Sequence, residues 1–275
     1  MLSIIICSRQ KDITQSLKNN IKETIGVDYE LIVIDNSTNK FSIFTAYNEG
    51  ISRAKGEILC FMHEDILFHT LEWGKKIKNH FVDKKVGLVG VIGGHVIMNY
   101  PSTWCCTNLI SGNYIQGYTD KNGNYDNTLV INDNYLNNEL TDVVAVDGFW
   151  FCVKYEIFEK IRFDDQTFSG FHAYDIDICM QIHLIGKRVC VIDDVKIEHF
   201  SFGTPDDRWL HSMILFQKKW KQYLPIVEGI TLSKFETREI RHKLKKKYAN
   251  RIKKMNKYRI LNFIFFRNKN SYAPF

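Results

Sequence analysis

Residues 46–65 read AYNEGISRAKGEILCFMHED, and this stretch decides which fold the chain can adopt. The apolar side chains ahead of Gly56 recur at spacings of one, three and four residues, which predicts a helix that Gly56 ends in a left-handed conformation. The apolar run after Gly56 has the length of a strand buried on both faces. This strand ends in His63, Glu64 and Asp65. Because alternate side chains on an extended chain point the same way, we expect His63 and Asp65 to project together into a ligand crevice, with Glu64 opposite unless the chain has already turned.

Two further strands are predicted upstream. Residues 2–7 and 30–34 are apolar, β-branched runs separated by about 20 helix-compatible residues, which is the βαβ rhythm of a parallel sheet. Polar residues follow each run, namely Ser8 and Arg9 after the first and Asp35 and Asn36 after the second. We therefore predict an α/β domain with a mostly parallel, Rossmann-like central sheet flanked by helices, and with a pocket at the carboxyl ends of its strands.

A glycine-rich run lies at residues 86–96. It lacks both the G-x-G-x-x-G spacing and the strand-turn-helix context of a dinucleotide site. We interpret it as a strand that another backbone approaches closely, rather than as a phosphate-binding loop. This pattern argues against a Rossmann-like oxidoreductase.

The charge of the chain is unevenly distributed. A chain of 275 residues with 45% hydrophobic content can bury one large core, with room for an appendage. Residues 233–275 contain 14 Lys and Arg against 2 acidic residues, which leaves 23 basic and 29 acidic side chains in the rest. We therefore predict an acidic main domain over residues 1–232 and a basic tail over residues 233–275.

The tail has the pattern of an amphipathic helix. Ile240, Leu244, Tyr248 and Ile252 recur every four residues, and lysine or arginine fills much of the remaining circumference. Such a helix suits either an anionic membrane surface or the acidic body of the same chain, and both alternatives stay open. Residues 260–266 add an apolar patch that is too short to span a bilayer. Nucleic acid is not an expected partner, because the body is acidic.

Cysteine usage and the N-terminus indicate the compartment. The seven cysteines are odd in number and scattered, and they include the neighbours Cys105 and Cys106, which fits reduced thiols. The sequence opens directly on a strand-like run, without the basic region and long apolar segment of a signal peptide. We expect a cytoplasmic protein, with a peripheral position at the inner face of the membrane if the tail binds lipid.

A second group of chemically active residues follows in the C-terminal half. Asp175 and Asp177 open a segment with helical apolar spacing that ends at Gly186, and His199 lies in an extended segment. Asp65 and His199 together suit a divalent ion, since carboxylates bind Mg²⁺ or Mn²⁺ and Mn²⁺ tolerates imidazole. The plainer alternatives also stay open: Asp175 as a first-turn acid on the helix dipole, and His199 as a buried histidine.

The ordered series of motifs resembles that of family 2 glycosyltransferases with the GT-A fold, the sugar-nucleotide-dependent enzymes that build bacterial surface polysaccharides. The resemblance covers roughly residues 2–203 and rests on SIIICSR, ELIVIDNS, AYNEGISRAKGEILCFMHED, VDGFWF, AYDIDICMQIHLIGKRV and IEHFSFG. It implies an inverting, hexosyltransferase-type enzyme that uses a UDP-sugar and a glycan or lipid-linked glycan acceptor. We expect much of the sugar pocket in residues 95–140.

The resemblance also implies roles for individual residues. The nucleotide sugar would be bound by Ser8, Arg9, Asp35, Asn36, Asn48, His63 and Glu64. Asp65 and His199 would hold Mn²⁺ or Mg²⁺ on the diphosphate. His63 stands where the family has the first acid of its D-x-D motif, so it leaves less negative charge around the cation.

On the acceptor side, the resemblance implies that Asp175 is the general base that removes the proton of the acceptor hydroxyl. Tyr174 stands beside it where glutamate is common in the family. Asp177 and Trp150 are candidates for acceptor contacts, although a core position is an equally open interpretation of Trp150.

Two other functions compete with this one. A retaining transferase of similar fold would use Asp175 to position the acceptor rather than to deprotonate it. The second alternative is a protein that binds nucleotide sugars without turnover. The reason to consider it is that His63 stands in place of an acid. The sequence does not identify the donor sugar, the acceptor or the oligomeric state.

Overall fold

A computed structural model describes residues 1–119, 122–132, 140–203 and 205–266, with side chains left out for residues 131–132 and 256–266. The chain divides into two compact units, Met1–Leu232 and Ser233–Phe275. That the first is a catalytic domain and the second an appendage stays a prediction. Part of the expected sugar pocket, at residues 120–121 and 133–139, lies outside the described residues.

The first unit alternates strands and helices. Its strands are β1 (Leu2–Ser8), β2 (Tyr29–Asp35), β3 (Ile58–Met62), β4 (Ile66–Phe68), β5 (Val86–Gly90), β6 (Ile92–Gly94), β7 (Val96–Ile97), β8 (Ile110–Thr119), β9 (Tyr125–Asn132), β10 (Thr141–Asp142), β11 (Ala145–Val146), β12 (Trp150–Lys154), β13 (Arg188–Val191), β14 (Ile197–His199) and β15 (Ile226–Val227). Its helices are α1 (Gln15–Thr24), α2 (Ile43–Arg53), α3 (Trp73–His80), α4 (Tyr174–Leu184) and α5 (Asp207–Lys219).

The central sheet has seven strands in the order β10-β13-β5-β12-β3-β1-β2. Strand β1 pairs in parallel with both β2 and β3, as the βαβ rhythm predicts. Strand β12, however, lies antiparallel between β3 and β5. The prediction of an α/β domain with a mostly parallel sheet is confirmed, although the sheet is mixed rather than purely parallel, since β12 and β10 run opposite to the other strands. The apolar run of β12 is buried on both faces like a parallel strand, so its composition does not reveal its direction.

A second sheet has the order β11-β6-β8-β14-β4, with β9 paired to β8, and its strand β4 follows shortly after the carboxyl end of β3 in the chain. Strands β4 and β14 are antiparallel, with Ile66 opposite His199. The backbone N–H of Phe200 donates to the carbonyl of Asp65 at 3.0 Å. This pairing brings two residues that are far apart in the sequence, Asp65 and His199, to the same place. The glycine-rich run at 86–96 forms β5, β6 and the start of β7, so it is strand and not a phosphate-binding loop.

Aromatic side chains fix α2 and α4 against the sheet. The Tyr47 ring lies 4.9 Å from Phe61, 5.2 Å from Phe163 and 5.6 Å from Tyr174, measured between ring centroids. All four residues are buried. Aromatic pairs of this kind contribute about 0.5–1.5 kcal/mol each beyond the burial of their area. The first turn of α4 is therefore held in place by packed aromatic side chains.

Helix α2 ends differently from the sequence expectation. It stops at Arg53 with Ala54 in an extended conformation, and Gly56 does not have a positive φ. The prediction that a left-handed Gly56 ends the helix is therefore wrong. Glycine is needed there for space instead, because a Cβ at Gly56 would lie 2.6 Å from the backbone nitrogen of Ser3 and 2.8 Å from the carbonyl carbon of Leu2.

The second unit contains the helix α6 (Lys234–Phe266). Ser233 and Glu236 form a capping box, in which the Ser233 Oγ accepts from the Glu236 N–H at 3.2 Å and the Glu236 carboxylate accepts from the Ser233 N–H at 2.8 Å. The predicted apolar patch at residues 260–266 lies outside the residues whose side chains are described. Within the described residues, no helix combines the length and the apolar character that crossing a membrane requires.

Gly56→Ala tests the close approach of the α2–β3 loop to β1. We expect the free energy of unfolding to fall by about 1–3 kcal/mol in urea titrations, because the added methyl group meets backbone atoms that cannot move aside. Gly170→Ala is the control, since a Cβ there meets nothing within 4 Å. Equal stabilities of the two variants would contradict this account of Gly56.

Candidate functional site

The carboxyl ends of β1 and β3 are joined through Glu64. The buried Ser8 hydroxyl donates to one carboxylate oxygen of Glu64, and the backbone N–H of Arg9 donates to the other at 3.0 Å. Glu64 therefore contacts the end of β1; because the chain already bends at Glu64 and Asp65, strand alternation does not apply there, and an orientation opposite to His63 and Asp65 stays a prediction. The structure brings Ser8, Arg9 and Glu64 together at one edge of the sheet.

Asp35 and Asn36 lie beside this edge at the end of β2. The N–H of Asn36 donates to the Ser8 carbonyl at 2.9 Å, and its side-chain amide bonds both backbone groups of Phe41 at 2.8 and 2.9 Å. The exposed Asp35 accepts from the Ser37 N–H, and hydrogen bonds from Ser37 lower the pKa of Asp35. Asn36 thus shapes the loop after β2, and contacts of either residue with a nucleotide stay a prediction.

Asn48 lies further away, on α2. Its side chain donates to the carbonyl of Phe163 at 2.8 Å and accepts from the N–H of Phe163 at 3.1 Å. Both ends of the amide are therefore engaged in holding the loop that leads toward α4. The implied role of Asn48 in binding a nucleotide sugar stays a prediction.

His63, Asp65 and His199 form a metal-capable cluster. An Asp65 carboxylate oxygen lies 3.7 Å from His63 Nδ1 and 3.7 Å from His199 Nε2. One ligand atom from each residue falls within 4.8 Å of the other two. Two metal–ligand bonds of about 2.1 Å can span up to about 4.2 Å, so a single ion can bridge the Asp65 oxygen to either imidazole. Two imidazoles and a carboxylate are a chemically suitable donor set for a divalent metal.

Both imidazoles of the cluster are held by the protein. His63 Nε2 lies 2.8 Å from the Tyr174 hydroxyl, and its backbone N–H donates to the Phe149 carbonyl at 2.8 Å. The ring of Phe149 stacks on the imidazole of His199, with centroids 4.6 Å apart and an interplanar angle of 16°. Burial, and then the neighbouring His199, lower the pKa of His63 to about 4, so this imidazole is neutral at physiological pH.

The turn between β11 and β12 contains an acid whose role the sequence did not reveal. Asp147 accepts from the N–H of Phe149 at 2.9 Å, and burial raises its pKa while His199 lowers it. Asp147 was visible in the sequence only as a polar break in an apolar run. Such a charged residue inside a buried strand segment is itself a signal of a site. Next to it, a Cβ at Gly148 would lie 2.2 Å from the Tyr174 hydroxyl, so only glycine lets Tyr174 pack there.

Asp175 lies in the first turn of α4, directly after Tyr174, and is partly accessible. Burial raises its pKa to about 7, and the negative charge of Asp147 adds to this effect. A carboxyl group with this pKa can exchange a proton near neutral pH, which is what a general base requires. Asp175 thus directly follows Tyr174, whose hydroxyl contacts His63 of the metal-capable cluster. The helix ends before Gly186, which has a φ of +73°, as predicted.

The other two residues assigned to the acceptor side are buried. Trp150 has no exposed surface and packs edge-to-face with Phe68 and Trp73, which is the core position that the sequence left open as an alternative. Asp177 also has no exposed surface and accepts from Lys219 and from the Trp220 indole at 2.8 Å. The structure does not bring them to the accessible surface beside Asp175, so their contact with an acceptor stays a prediction.

Asp175→Asn gives a pH-dependent change in stability. The carboxyl has a pKa of about 7 in the folded protein and 3.8 as its ordinary value, so between these pH values the folded state keeps a proton that the unfolded state releases. This group therefore stabilises the fold below pH 3.8 and loses up to about 1.4 kcal/mol of that effect per pH unit as pH rises to about 7.

The asparagine variant lacks this loss. In urea titrations, we expect its free energy of unfolding to rise relative to wild type across that pH window and to level off above it. Parallel pH profiles for the two proteins would contradict a raised pKa at Asp175.

The chain is similar to known proteins in sequence and in fold. Residues 3–223 match the model of a family described as "Glycosyltransferase like family". Curated protein sequences give no match. The structure of GalNAc-T7 with UDP, GalNAc and Mn²⁺ is similar, with a TM-score of 0.53 and 13% identity, over 81% of this chain and 49% of that one. This similarity in fold agrees with the GT-A type of α/β architecture.

Two other solved structures are more distantly similar. Mannosyltransferase PcManGT from Pyrobaculum calidifontis in complex with GDP-Man and Mn²⁺ has a TM-score of 0.47 and 14% identity, over 72% of this chain and 56% of its own. A197 from STIV has a TM-score of 0.43 and 13% identity, over 73% and 86%. The chain spans about half the length of the two sugar-related proteins. Since the family model covers most of the sequence, the chain belongs to the glycosyltransferase-like family.

Proposed function

We propose that this protein is a glycosyltransferase that moves a sugar from a nucleoside diphosphate sugar, a UDP-sugar, to a hydroxyl group of a glycan or lipid-linked glycan. One observation carries the proposal. The metal-capable cluster and a carboxyl group with a pKa of about 7 are linked through adjacent residues, since Tyr174 hydrogen-bonds His63 and Asp175 follows it. A metal site beside a base is the arrangement that transfer from a diphosphate needs.

The donor side of the proposal concerns the diphosphate. Asp65 and His199 would hold Mn²⁺ or Mg²⁺, and their donor atoms fit such an ion. When bound, the ion would neutralise the charge that develops on the leaving diphosphate. GalNAc-T7, which is similar in fold, was solved with UDP and Mn²⁺, and this supports the choice of UDP and Mn²⁺ as first probes. Ser8, Arg9 and Glu64 form the polar strand ends at which we expect the nucleotide.

The acceptor side of the proposal concerns Asp175. Its carboxylate would take the proton of the acceptor hydroxyl while that oxygen attacks the anomeric carbon from the face opposite the leaving group, so the configuration inverts. The bond to the diphosphate breaks as the new glycosidic bond forms. A base with a pKa near the working pH combines a large deprotonated fraction with adequate basicity, and such a group contributes roughly 10²- to 10⁴-fold in rate. The negative charge of Asp147 supports this basicity.

The retaining alternative and the binding-only alternative differ from this proposal in measurable ways. The anomeric configuration of the product, read by NMR, separates inversion from retention. Tight binding of UDP with Mn²⁺ by calorimetry, without donor hydrolysis or transfer, would favour a protein that binds nucleotide sugars without turnover. Hexosyl specificity and a place in surface-polysaccharide synthesis are part of the proposal and rest on the resemblance of the motifs.

Asp175→Asn is the direct test of the base. We expect kcat of transfer to fall by at least about 10²-fold while the affinity for UDP and Mn²⁺ stays within about twofold, because the variant loses the proton acceptor but not the donor site. Glu49→Gln, on the exposed face of α2, is the matched acid-to-amide control and should leave kcat unchanged. An Asp175→Asn variant with wild-type kcat would exclude Asp175 as the base.

The basic helix supports a proposed location at the cytoplasmic face of an anionic membrane, where a lipid-linked acceptor would lie. Lys245, Lys246 and Lys247 are exposed in the described part of α6. Each lysine near an anionic surface contributes about 1 kcal/mol, so replacing all three with glutamine should lower partition onto phosphatidylglycerol vesicles by about 100-fold. Vesicle flotation measures this, with phosphatidylcholine vesicles as the neutral control. Equal flotation of the variant and the wild type with phosphatidylglycerol vesicles would contradict the proposal of a membrane partner.

A further inference from the structure

We propose that His63 is a third protein ligand of the metal ion and that Tyr174 is the positioning residue that aims it. The resulting set of two imidazoles and one carboxylate would make the site prefer Co²⁺ to Mn²⁺ and either of them to Mg²⁺. The inference rests on the proposed function only for the role of the metal, since the binding preference itself can be measured without any transfer reaction.

The geometry of His63 carries the first step. Its Nδ1 atom lies 3.7 Å from the same Asp65 oxygen that lies 3.7 Å from His199 Nε2. These separations are shorter than the roughly 4.2 Å that two metal–nitrogen or metal–oxygen bonds can span. The rings of His63 and His199 are 5.6 Å apart between centroids, so both can face the same ion without touching. His63 is therefore positioned with Asp65 and His199, so that one ligand atom of each residue lies within reach of the others.

The hydrogen bond to Tyr174 carries the second step. An imidazole binds a metal through an unprotonated nitrogen, and the hydrogen bond made by the other nitrogen selects which one that is. His63 Nε2 lies 2.8 Å from the Tyr174 oxygen. With the proton on Nε2 donated to Tyr174, the lone pair stands on Nδ1, the atom that faces Asp65. Tyr174 thus serves His63 as an oxygen partner that holds both the ring angle and the tautomer.

The surroundings of Tyr174 carry the third step. Its ring is buried and contacts Phe44 and Tyr47 edge-on, at centroid distances of 6.4 and 5.6 Å. Its hydroxyl occupies the space that a Cβ at Gly148 would take, at 2.2 Å. The hydroxyl is consequently unable to swing away from His63 without displacing core side chains. This is the rigidity that an orienting partner of a ligand requires.

The composition of the donor set carries the last step. Mg²⁺ prefers oxygen ligands in an octahedral arrangement, whereas imidazole nitrogen favours transition ions. For a given set of nitrogen and oxygen donors, affinity rises from Mn²⁺ to Co²⁺. His63 in place of a carboxylate also removes one negative charge from the site. This loss weakens the binding of Mg²⁺, which is held mainly by electrostatic attraction, more than the binding of Co²⁺ or Mn²⁺, whose bonds to nitrogen have covalent character. The two imidazoles should therefore set the order of preference.

The test measures metal binding directly. The full-length, metal-free protein is titrated calorimetrically with Co²⁺, Mn²⁺ and Mg²⁺, each with and without UDP. We expect the Kd to rise in that order, with Mg²⁺ at least about tenfold weaker than Mn²⁺. Electron spin echo envelope modulation on the Mn²⁺-loaded protein should report nitrogen from two imidazoles in wild type and from one in His63→Gln. His63→Asp should narrow the gap between Mn²⁺ and Mg²⁺.

Tyr174→Phe isolates the orienting hydroxyl while keeping the aromatic ring. We expect it to weaken Mn²⁺ binding by about 10- to 100-fold, the usual effect of removing the partner of a metal-bound histidine. Tyr47→Phe is the matched control. Tyr47 packs against Tyr174, but its hydroxyl makes no hydrogen bond within the described residues. That variant should bind Mn²⁺ like wild type.

Several results would overturn the inference. These are equal affinities for Mn²⁺ and Mg²⁺, an unchanged nitrogen signal in His63→Gln, or a Tyr174→Phe variant that binds Mn²⁺ as tightly as wild type. The first two would leave His63 as a neighbour of Asp65, at 3.7 Å, rather than a ligand. Failure of the proposed function has a different signature, namely the predicted metal order and nitrogen signals without sugar transfer.

Discussion

The antiparallel pairing of β4 with β14 is the constraint on which the site depends. Asp65 and His199 are brought together by one backbone hydrogen bond, from the N–H of Phe200 to the carbonyl of Asp65, and by the register that sets Ile66 opposite His199. Because side chains alternate along a strand, a register shift of one residue would turn His199 to the other face of the sheet. The backbone pairing thus fixes where His199 lies along β14, and the stacking of Phe149 fixes its imidazole ring.

The acidic groups around this pairing are held in a state that works against the stability of the folded chain. Burial raises the pKa of both Asp147 and Asp175, and the negative charge of Asp147 raises that of Asp175 further. A folded protein tolerates such groups when packing elsewhere compensates for their cost. Here the aromatic packing of Tyr47 against Phe61 and Tyr174, beneath α4, supplies that compensation. Shifted pKa values concentrated at one site are typical of active sites.

The sequence predicted much of the first half of the chain, because local patterns there correspond to local structure. The runs at 2–7 and 30–34 and the stretch at 46–65 became β1, β2, α2 and β3. The direction of β12 was missed, since burial on both faces looks the same in either direction. The reason for Gly56 was also missed, because a steric contact with β1 leaves no local pattern. The contact between Tyr174 and His63 joins residues 111 positions apart, and Asp147 is influenced by His199, which is also distant in the sequence; one sequence does not reveal such contacts.

The antiparallel insertion of β12 has a consequence for how the protein is made. Strand β3 is flanked by β1 and by β12, and its pairing partner for Met62 is Trp150. A ribosome that has released only the β1–α2–β3 segment has made a sheet whose edge is the wholly apolar strand ILCFM. That edge stays open until β12 has been synthesised, and an exposed apolar edge strand is a template for intermolecular pairing. The nascent N-terminal half therefore lacks the partner that covers this edge in the finished fold until the chain has been made as far as residue 154.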